Sequence, residues 1–153
     1  MTQEGKELLF KDLSARLPYG IMVDVRGGEF DSYKYPYQLT AISKFGLDSF
    51  CKVYHPIYIP FGVPNVENVK PYLCPLSSMT EEEKEELLQI INDETSDIIE
   101  QLKNNNCGIM EGKYHFNSLK EFDWLNAHHF DYRGLIERGL ALAAPDGMYK
   151  RNG

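Results

Sequence analysis

The sequence predicts an α+β protein: an N-terminal helix, a small curved antiparallel sheet of SH3-like or related small-barrel type, and a mostly helical second half packed on that sheet. Three observations predict it. Leucines recur at helical spacing near the N-terminus. Short alternating segments, punctuated by Gly and Pro, fill residues 20–75. A capped apolar stripe runs through residues 80–105. The expected division is 1–76 and 77–153 within one compact unit, since 153 residues suit a single domain of ordinary size.

Residues 2–17 read as a short helix. Leu9, Leu13 and Leu17 fall at i, i+4 and i+8 with Leu8 beside them, while Lys6, Glu7, Lys11 and Asp12 read as the polar side. Thr2 can cap its start, and Pro18-Tyr19-Gly20 ends it. Ile21, Val23 and Val25 alternate with Met22, Asp24 and Arg26 as a half-buried strand, and Gly27-Gly28 breaks it. A Tyr-rich hinge follows, then strands over 38–43 and 50–54 separated by a turn at Lys44-Phe45-Gly46. Pro56, Pro60 and Pro64 make the next stretch a loop or an edge, and 66–73 supplies a last strand. Thr80-Glu81-Glu82-Glu83 is a capping box opening a helix over 80–105, with Leu87, Leu88, Ile91, Ile98, Ile99 and Leu102 as its stripe. Ser118-Leu119-Lys120-Glu121 is a second capping box before a helix over 118–130. Gly134 and Gly139 bracket a single helical turn, 140–144 reads as strand or helix, and Pro145-Asp146-Gly147 signals a turn.

Charge and cysteine narrow the function. The net charge is -7, and it sits on residues 80–110, where two Lys face nine acids; the chain on either side is balanced. A phosphate backbone is repelled by that face, so direct nucleic-acid binding is disfavoured. No apolar run approaches the ~20 residues that span a bilayer, and the first residues lack the basic-then-apolar pattern of a signal peptide. Cys51, Cys74 and Cys107 are odd in number and lie far apart, which suits reduced thiols in a cytoplasm. There is no phosphate-binding Gly loop, dinucleotide fingerprint or nucleophile elbow.

Two constellations carry chemistry on paper. The first is the block Trp124 to Ile136, with the only Trp, two of the four His, an Asp and an Arg. His128, His129, Asp131 and Arg133 are its candidate catalytic residues: an imidazole oriented by a carboxylate, with a guanidinium for an anion. Adjacent helical residues diverge by ~100°, so both imidazoles reach one ion only if the helix stops there. No metal site is therefore assigned, and no cofactor is expected. The alternative is architecture: one His packed in an interface, Asp131 capping the turn 132–136, and Arg133 paired with a local acid. The second constellation is Tyr33, Tyr35, Tyr37 and Tyr58. Tyr33, Tyr35 and Tyr37 alternate, so an extended chain puts them on one side, where tyrosine's apolar area and polar tip suit recognition. The other reading is half-buried tyrosine.

Three segments also resemble a known group. Trp124-Leu125-Asn126-Ala127-His128-His129-Phe130-Asp131-Tyr132-Arg133-Gly134-Leu135-Ile136 with Gly139 to Leu142, Lys70 to Glu83, and Leu8 to Gly20 resemble small uncharacterised bacterial proteins of prophage and mobile-element type. The resemblance covers about a third of the chain and implies a bacterial origin on a prophage or mobile element; that group has no assigned activity, so no residue role transfers. The leading expectation is a cytoplasmic, non-enzymatic binding module whose partner is another protein, with a homo-oligomer left open. The alternatives are a metal-dependent or acid/base hydrolase centred on His128, His129 and Asp131, and an acidic nucleic-acid mimic using Glu82, Glu85 and Glu86.

Overall fold

The structure, a computed structural model, describes residues 1–32, 34–57, 62–102 and 119–150, with the backbone alone for 94–102. It is α+β, with an N-terminal helix and a five-stranded mixed sheet. Helix α1 spans Gln3–Arg16, and the Thr2 hydroxyl accepts from the Gly5 N–H at 3.1 Å as its N-cap. A 3-10 turn over Leu17–Tyr19 and a left-handed Gly20 then reverse the chain into the sheet. The strands are β1 (Met22–Val25), β2 (Tyr37–Phe45), β3 (Asp48–Tyr54), β4 (Val69–Leu73) and β5 (Leu142–Ala143). Their order is β3-β2-β1-β4-β5, antiparallel except for β4 with β5.

The expected SH3-like barrel is not what this pairing makes. The sheet is open among the described residues, with β3 and β5 at its ends. A parallel last strand explains the difference. β5 arrives from the C-terminal part, after α2 (Glu81–Leu102) and α3 (Leu119–Ala127), and extends the sheet at β4 rather than folding it back onto β3. Pro71 sits inside this sheet, where a missing N–H is normally costly. Arg26 N–H donates to Asn68 O at 2.9 Å, so by alternation the nitrogen of Pro71 points away from β1. It points to the side where β5 pairs only from Tyr72 onward.

One apolar cluster lies between α1 and the sheet: Leu9 and Leu13 against Val23, Val25, Leu39, Cys51, Val69 and Leu73, closed by Leu135 and Ala141. A second joins Leu87 of α2 with Cys74, Trp124, Leu125 and Phe130. Glu83 and Thr80 form the reciprocal capping box at the start of α2, at 2.8 and 3.2 Å. Of the stripe expected on α2, Leu87 and Ile91 reach this second cluster and Leu88 is on the exposed side. Ile98, Ile99, Leu102 and the Ser118 capping box lie outside the described side chains. No described helix is long and apolar enough to cross a membrane.

Candidate functional site

The block after Trp124 is built from backbone geometry outward. α3 ends in a Schellman motif: His129 N–H donates to Asn126 O at 3.1 Å and Phe130 N–H to Leu125 O at 3.0 Å. His129 is the left-handed residue of that motif, φ 58°, and no other non-glycine described residue has positive φ. The chain then runs beside Cys74, whose N–H donates to His129 O and whose carbonyl accepts from Asp131 N–H, both at 2.8 Å. These two bonds fasten the end of α3 to the end of β4.

Each candidate catalytic residue is committed within this frame. His128 stacks on Trp124, with centroids 4.0 Å apart, and its Nδ1 lies 2.9 Å from Trp124 O. His129 is buried and stacked on Tyr149 at 3.9 Å. Burial pushes its imidazole down to about 4, helped by the nearby Arg16 charge and by His128, while a hydrogen bond with the Tyr19 backbone acts the other way. Asp131 uses both carboxylate oxygens as a cap, accepting from Leu135 N–H at 2.8 Å and Ile136 N–H at 2.9 Å. Arg133 donates through Nε to Asp12 at 3.1 Å and through Nη2 to the Tyr132 hydroxyl at 2.8 Å. Among the described residues no three His, Cys, Asp or Glu side chains are grouped as a metal site needs.

Behind the block lies a charged clasp that uses Asp12, expected on the polar side of α1, and Arg16. Asp12 and Arg16 are fully buried and joined at 2.8 and 3.1 Å, and Arg16 Nη2 donates to Phe130 O at 2.7 Å. Asp12 is thus shared by one buried and one part-buried guanidinium, and α1 is clamped to the turn 130–133. The available signal was spacing: Leu9, Asp12, Leu13 and Arg16 form an i, i+3, i+4, i+7 series, so the charged pair shares the core face.

Of the expected tyrosine patch, Tyr35 and Tyr37 fall among the described residues, and they differ in exposure. Tyr37 is fully buried at the start of β2, edge-on to Phe30 at 5.6 Å, so it takes no part in an exposed surface. Alternation fails here because the residues before Tyr37 are not yet in a strand. Tyr35 is exposed and stacks on His55 at 4.9 Å. Tyr33 and Tyr58 lie outside the described residues.

A different apolar surface is present. The two-residue hairpin turn is Gly46-Leu47: Phe45 just before it and Leu47 within it are 83% and 80% exposed, and Gly46 supplies the positive φ at the first central position. Tyr54, the last residue of β3, and Ile57 and Val63 after it are exposed as well. Sequence reasoning missed these because it treated the turn as punctuation; large apolar residues on both sides of Gly46, where polar ones are usual, were the signal. Glu81, Glu82, Glu85 and Glu86 of α2 are exposed as well, far along the chain from this hairpin.

Comparison of the chain with protein-family models, curated proteins and solved structures finds no match in any of the three.

Proposed function

We propose that this chain is a non-enzymatic binding module, an accessory protein of bacterial mobile-element type, which holds another protein with the β2–β3 hairpin and the segment that follows it. One observation carries the reading: Phe45, Leu47, Tyr54, Ile57 and Val63 are large, apolar and exposed within one stretch of nineteen residues. Large apolar side chains left exposed at the turn, at the end of β3 and in the segment after it are the kind of surface that a protein partner covers. The commitment of His128, His129, Asp131 and Arg133 to caps, stacking and the Asp12 clasp supports a structural role for the Trp124 block.

The test immobilises the full chain and captures proteins from the cells that encode it. The comparison is with a Phe45→Ser/Leu47→Ser/Ile57→Ser variant and a Glu82→Lys/Glu86→Lys control. The proposal expects a partner retained by the chain and by the α2 control but lost from the hairpin variant, at unchanged melting temperature. Capture that survives the hairpin substitutions, or that vanishes with the α2 ones, refutes it.

A further inference from the structure

Beside the exposed hairpin lies an open hollow of about 370 Å³ lined by Thr40, Lys52, Val53, Tyr54, Gly62 and Val63. Its shape follows from a β-bulge. The β2–β3 register steps from Leu39↔Val53 to Ala41↔Lys52, leaving Thr40 as the extra residue, and the Thr40 hydroxyl donates to Lys52 O at 3.1 Å. A bulge bends its strand and re-aims neighbouring side chains. Among the described lining residues Val53, Tyr54 and Val63 supply apolar wall, and Lys52 supplies a charge. Lys52 is exposed, and among the described residues no carboxylate forms an ion pair with it.

We propose that this hollow receives an apolar side chain of the partner that is flanked by acidic residues: the aromatic or branched group enters the hollow, and a carboxylate meets the Lys52 ammonium. The inference rests on the hairpin reading above and adds the chemistry of the partner's segment. An exposed ammonium beside an apolar anchor point selects by charge at the rim and by shape in the middle, which is how interface surfaces divide those tasks.

The test is an amide chemical-shift titration of the full chain with three capped tripeptides: acetyl-Glu-Phe-Glu-amide, its Gln-flanked counterpart and its Lys-flanked counterpart. The acidic peptide is expected to bind saturably in the millimolar range. Its shifts should centre on Thr40, Lys52, Val53, Tyr54, Gly62 and Val63. The Gln-flanked peptide is expected to bind about threefold to fivefold more weakly, the scale of one exposed ion pair. Lys52→Gln should abolish that preference. No saturable shift, equal affinity for the acidic and Lys-flanked peptides, or shifts centred elsewhere overturns the proposal. So does concentration-dependent shifting of the same amides without peptide, which would assign the hollow to a second copy. If the peptides fail while the hairpin variant still loses its captured partner, this inference falls and the hairpin reading stands.

Discussion

Replacing Asp12 by Asn should remove a large part of the stability of this fold. Asp12 accepts from Arg16 Nε at 2.8 Å, Arg16 Nη2 at 3.1 Å and Arg133 Nε at 3.1 Å, and both Asp12 and Arg16 are fully buried. Asn keeps the shape but offers one acceptor oxygen and turns an N–H toward a guanidinium N–H. Arg16 then stays buried with its charge uncompensated, because its remaining acceptor is the neutral carbonyl of Phe130. Breaking one side of a buried pair costs about 3–5 kcal/mol, about a fifth or more of a typical total of ~5–15 kcal/mol. For a chain of this size that corresponds to a drop of roughly 10 °C in melting temperature. Urea unfolding at neutral pH measures it, with the midpoint falling and the slope unchanged. Asp12→Leu combined with Arg16→Met should recover most of the loss, since apolar replacement of a whole buried pair is often neutral or better. A cost below ~1 kcal/mol for Asp12→Asn, the value of an exposed pair, would refute the clasp.

Two further outcomes follow from the same packing. The Tyr149 hydroxyl donates to Tyr72 O at 2.8 Å and accepts from Met22 N–H at 3.1 Å, bridging β1 and β4 where their direct ladder stops; Tyr149→Phe should therefore cost about 1–3 kcal/mol in urea unfolding, and a neutral change would show that the strands close up without it. His129 is neutral in the folded chain down to about 4 but takes a proton near 6.5 when unfolded. Between those values the unfolded state binds more protons, so stability should be level above 6.5, fall as pH drops toward 4, and lose about 3 kcal/mol in all. His129→Asn, which tolerates the left-handed backbone, should flatten that slope; an unchanged slope in paired unfolding curves would contradict the burial of this imidazole.

What the sequence disclosed was local and periodic. Thr2, the Thr80/Glu83 box, the alternation Ile21-Val23-Val25 and the turn at Gly46 each announce themselves within a few residues, because caps, pleats and tight turns have short-range chemistry. What stayed hidden needed partners distant in the chain. Asp12 looks like helix surface until Arg133, far along the sequence, is seen to share its carboxylate with Arg16. Leu142 and Ala143 are too few to favour a strand until β4 offers an edge, and that pairing is what leaves the sheet open. His129 in a left-handed position has weaker local warrant than glycine would, and tertiary stacking on Tyr149 accompanies it. For the candidate site, residue type drew attention to the Trp124 block, whereas the exposed large apolar residues Phe45 and Leu47 sit at the hairpin turn, which periodicity does not single out.

The Trp124–Ile136 block is framework joining α1, β4 and α3. Native-state hydrogen exchange tests it most directly, read at the amides of His129, Phe130, Asp131, Leu135 and Ile136, whose acceptors are all named above. Framework predicts that these amides exchange only through global unfolding, with opening free energies equal to that of the whole chain and the same denaturant dependence. Exchange through local openings several kcal/mol cheaper, as a working loop requires, would contradict it.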